Sequence, residues 1–134
     1  MKKTLFVLVL GQLLLANVAR ADELVVIGNP ASATPLTKEQ VADLFLGKSP
    51  GMKLIDQPAA APIKAAFYQQ VSGHDLSQVK ATWSRLIFTG KAQPPKELAD
   101  SAAVKKAVAA DPKAIGYIEK SAVDGTVKVV LDLK

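Results

Sequence analysis

The sequence predicts an α/β domain, with helices packed on both faces of a mostly parallel or mixed sheet of about four strands. Three observations predict it. Short apolar runs, "ELVVIGN", "MKLI" and "AIGYI", have the length and composition of buried strands. Between them lie segments whose apolar residues recur every three or four positions, so strands and helices alternate along the chain. The last segment, "TVKVVLDLK", alternates Val127, Val129, Leu131 and Leu133 with polar or mixed positions. It reads as a strand with one face exposed, at an edge of mixed direction.

The N-terminus precedes this domain and has a different character. "MKKTLFVLVLGQLLLANVARADE" has a lysine pair, an apolar run from Leu5 to Leu15 and the small-x-small site Ala19-Arg20-Ala21. An apolar run of about eleven residues is too short for a bilayer, which needs roughly twenty. The expectation is a signal peptide over residues 1–21, cut after Ala21 and delivering residues 22–134 to the periplasm. Lys2, Lys3 and Arg20 leave with such a leader. The 17 basic residues then become 14 against 12 acidic ones, and the formal charge falls from +5 to +2. So weak a charge, without a basic stripe interleaved with aromatics, argues against nucleic acid. With no cysteine in the chain, disulfides, a thiol nucleophile and a cysteine metal site are excluded.

Each element follows from local signals. Glu23–Asn29 is an apolar run closed by Gly28 and Asn29, and the loop "PASATP" follows. "LTKEQVADLFLG" starts a helix with Thr37 as cap, Gln40 three residues on, and Leu36 placed to staple against Val41; Gly47 ends it. Met52–Ile55 is the second strand. In "DQPAAAPIKAAFYQQV", Ile63, Phe67 and Val71 recur at helical spacing and Pro62 suits the first position, but Ala59, Ala60 and Ala61 stand where a polar cap is usual. Asp75 with Gln78 opens the next helix, along which Leu76, Val79, Trp83, Leu86 and Ile87 form one apolar stripe. "TGKAQPPKE" reads as a solvated or docking loop. Asp100 caps "SAAVKKAVAA", in which Val104, Ala107 and Val108 face inward and Lys105 and Lys106 outward, and Asp111-Pro112 ends it. Ala114–Ile118 and Thr126–Lys134 complete the strands.

Catalysis has little to work with. The single histidine, His74, sits in the turn "SGHD", and the sequence carries no nucleophile elbow, P-loop or dinucleotide glycine pattern. One histidine without cysteine also argues against zinc. No catalytic residue, metal ligand or cofactor is assigned, and the chain is not expected to be an enzyme. Trp83 belongs to an apolar stripe and reads as core. Ligands of open α/β sheets gather beyond the carboxyl ends of parallel strands. The loops after the first two strands, Asn29–Pro35 and Gln57–Lys64, are expected to meet there, with a helix N-terminus offering amides to an anion.

"LTKEQVADLFLGK", "FYQQVSG", "ATWSRLIFTGKAQPPKEL" and "DPKAIGYIE", in this order, resemble the substrate-binding proteins of phosphate ABC transporters. The resemblance is to one lobe of these two-lobed, periplasmic binding protein-like proteins, runs from about Leu24 to Leu131, and is nearest to short single-lobe members. It implies a single-lobe fold and a phosphate-type site in which an arginine and a Ser-Gly-Thr run hold the ligand. Alignment on Phe67 puts Gln57 at the arginine, Ala61 at the serine, Pro62 at the glycine and Ile63 at the threonine, so those side-chain contacts are lost. The expected ligand contacts are the amides of Ile63 and Lys64, the Lys64 ammonium, and the Ser32 or Thr34 hydroxyl, in a crevice that includes Asn29, Gln57 and Ala61. A charge-assisted hydrogen bond contributes roughly 1.5–3 kcal/mol of the about 8 kcal/mol behind micromolar binding, so affinity for phosphate or another small oxyanion is expected no better than about millimolar. The alternative expectation is a module that has lost phosphate binding and contacts a periplasmic or membrane protein partner.

Overall fold

A computed structural model describes residues 23–133. The expected signal peptide at 1–21 lies outside them. The elements are β1 (Leu24–Gly28), α1 (Lys38–Phe45), β2 (Lys53–Asp56), α2 (Pro62–Ser72), α3 (Leu76–Phe88), β3 (Lys96–Glu97), α4 (Ser101–Ala110), β4 (Ala114–Glu119), a 3-10 turn (Lys120–Ala122) and β5 (Lys128–Asp132). They form a five-stranded sheet in the order β3-β2-β4-β1-β5.

The helices begin where the side chains dictate. Thr37 and Gln40 form a reciprocal capping box on α1, Asp75 and Gln78 form another on α3, and Asp100 accepts from the Ala103 amide at the start of α4. Ala61 gives α2 no side-chain cap, and Pro62 fills its first turn. Gly47 follows α1 with φ +80°, a left-handed conformation that favours glycine.

Helices cover both faces, as expected. Helices α1, α2 and α3 lie over one face, where Phe45, Phe67, Tyr68 and Tyr117 form an aromatic cluster; the Phe67 and Tyr117 rings stack at 3.9 Å and 5°. Helix α4 covers the other face, burying Val104 and Val108 against Val25, Ile27 and Ile118. Gly116 permits this close approach. A methyl added there would lie 2.6 Å from Val104 Cγ1 and 3.4 Å from Ile55 Cβ. Gly116→Ala should therefore destabilise the protein by about 1–3 kcal/mol through overpacking, measured by urea unfolding; an unchanged midpoint would show that α4 moves away freely.

Strand direction differs from the expectation in one respect. β2 runs parallel to β3 and β4, whereas β1 runs antiparallel to its neighbours β4 and β5. The reversed strand is therefore interior, not at an edge. All five β1 residues are buried, and a continuous apolar run marks such burial equally well in either direction. β4 reaches β5 through residues 120–127, which recross the α4 face and bury Val127. Lys105 ties this crossing down, donating to the Ala122 carbonyl and to Asp124, so it is not simply outward-facing. Hydrogen bonds from Thr126 and then Lys105 hold the Asp124 carboxyl below the usual carboxylate range.

Two further differences concern the edges. Val26 pairs with Leu131 but Ile27 pairs with Val129, so Val130 is an extra residue in a bulge. The bulge replaces strict alternation: Val127, Val130 and Leu133 are buried and Val129 is exposed. Within the expected loop "TGKAQPPKE", Lys96 and Glu97 pair with Ile55 and Asp56 as a fifth, two-residue strand. Pro94 and Pro95 precede it, and prolines have no amide to extend the ladder.

Candidate functional site

The carboxyl end of β2 carries a buried polar arrangement. Asp56 is 3% exposed. Its Oδ2 accepts from the Tyr68 hydroxyl at 2.7 Å, and its Oδ1 accepts from the Gln57 amide at 2.8 Å and from the Tyr117 hydroxyl. Tyr68 comes from α2 and Tyr117 from β4, so three elements converge on one carboxylate. Burial first, then the charge of Asp56, pushes both phenols well above the ordinary tyrosine value, and both remain donors.

Lys64, on the first turn of α2, meets this centre from outside. Its Nζ lies 2.8 Å from Glu97 Oε2 and 3.9 Å from Asp56 Oδ2, and its side chain is only 12% exposed. Two carboxylates therefore already hold the cation expected to meet an anion. The Gln57 side chain is engaged as well, its Nε2 donating to Ser101 Oγ at 3.1 Å and to the Tyr117 carbonyl at 3.0 Å. At the α2 terminus the Lys64 amide donates to the Ala61 carbonyl at 3.0 Å, and Pro62 has no amide to offer.

Asn29, Ser32 and Thr34 lie elsewhere. The Asn29 side-chain amide donates to the Val108 and Ala109 carbonyls, at the C-terminal end of α4, whereas Gln57 bonds Ser101, at its N-terminal end. Seven to eight residues at 1.5 Å each separate these bonded positions by about 11–12 Å along the helix. The crevice expected between the loops after β1 and β2 is therefore not formed. The reason is the reversal of β1, which sends its carboxyl end to the opposite edge of the sheet from that of β2. Ser32 Oγ donates to the Pro112 carbonyl at that far edge. Asn29, Ser32 and Thr34 line a cavity of about 70 Å³ there. Ala61 and Ile63 line another of about 480 Å³ with Leu24 and Glu119.

Lys64 lines a third cavity, a groove of about 490 Å³ between α3 and the segment around β3. Leu76, Trp83 and Ile87 line it from α3, Pro94 and Pro95 from the facing segment, and Tyr68, Asp56 and Glu97 lie along the same lining. Trp83 is buried as expected, and its indole donates to the Phe45 carbonyl at 2.8 Å. Ile87, expected in the core stripe, is instead 49% exposed, and Phe88 beyond it is 90% exposed. Leu86 in the same turn still packs against the core, so Ile87 and Phe88 lie on the outward side of that turn. His74 lies in its turn, half-buried, with Nδ1 at 3.1 Å from the Ser72 carbonyl.

Sequence reasoning missed Asp56, Tyr68 and Tyr117 as a unit. The available signal was a carboxylate closing the apolar run "KLID" and tyrosines on segments predicted to be buried, since buried phenols require partners.

No protein-family model and no curated protein matches the chain. Solved structures do. An ABC-type phosphate transport receptor from Vibrio cholerae superposes with a TM-score of 0.64 at 18% identity, covering 81% of this chain and 45% of that one. A putative phosphate ABC transporter substrate-binding protein with bound phosphate from Clostridium perfringens gives 0.62 at 22%, covering 81% and 44%. PstS from Borrelia burgdorferi gives 0.63 at 14%, covering 82% and 47%. The chain thus has the fold of part of the phosphate transporter substrate-binding proteins and spans less than half the length of each of these three.

Proposed function

We propose that this chain is an exported protein-interaction module, built on a solute-binding fold, that does not hold phosphate at the start of α2. The observation that carries this reading is the placement of Lys64 between Glu97 and Asp56. An entering oxyanion would have to displace a carboxylate from Lys64 and then sit beside two negative charges. Against that, a helix N-terminus contributes only about 0.3–1 kcal/mol in an exposed setting, and this one lacks a polar cap and one amide. Similarity to phosphate-binding proteins supports a common fold, and the engaged Gln57 and apolar Ala61 support loss of the ligand. Binding rather than catalysis is the role this fold carries in the solved proteins named for transport and substrate binding. Export rests on the lysine pair, apolar run and Ala-x-Ala site, which would leave residues 22–134 as the working domain.

Thermal unfolding in 10 mM phosphate against chloride of matched ionic strength tests this reading. A ligand bound at 10 µM would stabilise the fold by about 4 kcal/mol and raise Tm by more than about 10 °C. The expected shift is under about 1 °C, and a rise of the larger size would restore the solute-binding reading.

A further inference from the structure

We propose that the α3 face beside the groove is an interface for a second copy of this chain, with Phe88 of each copy seated in the groove of its partner. The inference rests on the interaction-module reading and names its surface and its occupant. Phe88 is 90% exposed at the end of α3, and the adjacent Ile87, 49% exposed, lines the groove. A protruding aromatic beside an open apolar groove is a mark of a contact surface. The groove follows α3 from Leu76 to Ile87, about 16 Å at 1.5 Å per residue, and its 490 Å³ has room for a phenylalanine side chain.

The reason to choose a second copy is self-complementarity. Projection and groove share one helix, so a two-fold axis across α3 brings each Phe88 to the opposite groove in a single closed, isologous contact. The charges agree with it. Lys80 lines the groove from α3 and Glu97 from the facing wall, and the Glu97 side chain remains 53% exposed while it holds Lys64. In the proposed dimer the Lys80 of one copy faces Glu97 of the partner subunit, twice, whereas a groove of one sign would repel its own copy.

Sedimentation equilibrium of the purified protein, from 1 µM to about 500 µM, tests the interface. Wild type should dimerise within that range, and Phe88→Ser, at a position too exposed to support the fold, should weaken the dimer at least about tenfold. Lys80→Glu and Glu97→Lys should each abolish self-association, since each homodimer then faces like charges twice. Mixed together they should form a heterodimer, because one pair is then the native one of Lys80 with Glu97 and the other is the same pair with its sign reversed, and its formation also shows both variants folded. A wild type monomeric throughout, a Phe88→Ser protein as dimeric as wild type, or a mixture without heterodimer would overturn the proposal. Phosphate titration addresses the interaction-module reading separately, so failure of one is not mistaken for failure of the other.

Discussion

Asp56→Ala should destabilise the protein by about 3–5 kcal/mol, the cost of removing one partner from a buried charged network. The substitution leaves the Tyr68 and Tyr117 hydroxyls buried without their acceptor, and takes one of its two carboxylates from Lys64. Asp56→Asn keeps the shape and part of the hydrogen bonding, so about 1–3 kcal/mol is expected. Tyr68→Phe removes a single donor and should cost least of the three. Urea unfolding with a common m-value measures the series. A loss under about 1 kcal/mol for Asp56→Ala would mean that water reaches the carboxylate and the centre does not organise this end of the sheet.

Trp83→Ala should cost a similar about 3–5 kcal/mol, for a different reason. The indole fills the space between α3 and the end of α1, where a Cβ added to Gly47 would lie 3.2 Å from it. Its loss leaves a cavity and removes the donor to the Phe45 carbonyl. Trp83→Phe retains most of the packing but not that hydrogen bond, so about 1–3 kcal/mol is expected for the unsatisfied carbonyl and the smaller ring together. The same denaturation experiment separates the two variants. Trp83→Ala within about 1 kcal/mol of wild type would remove Trp83 from the core and make it a groove residue alone.

What the sequence made legible is what local chemistry controls. Thr37 with Gln40 and Asp75 with Gln78 mark helix starts within a few residues, and the structure places reciprocal caps at both. The runs at Leu24–Gly28 and Ala114–Glu119 are apolar because both sheet faces are covered, so burial was readable without knowledge of topology. Direction was not. The reversal of β1 depends on pairing with β4, about ninety residues later, and no local pattern encodes it. The Val130 bulge is similarly a property of the β1–β5 register, and it converted an apparent two-residue alternation into burial at Val127, Val130 and Leu133.

The candidate site was less legible than the fold for the same reason. The missing cap at Ala61 could be read directly, and the structure gives α2 no side-chain cap. The state of Lys64 could not, because its nearest carboxylate, Glu97, lies 33 residues away on a strand too short to announce itself. The partnership of Asp56 with Tyr117 spans 61 residues. A cation read from sequence is available to a ligand only when no carboxylate reaches it first, and here two do.

Isothermal titration of the wild-type protein with phosphate and with sulfate, at low salt where weak anion binding is least screened, shows whether the start of α2 holds an anion. No saturable heat is expected below about 1 mM of either ion, because Lys64 is held by Glu97 and Asp56 and the start of α2 has no polar cap. A one-site isotherm with a dissociation constant near 1–10 µM for phosphate, about 7–8 kcal/mol of binding energy, would contradict it.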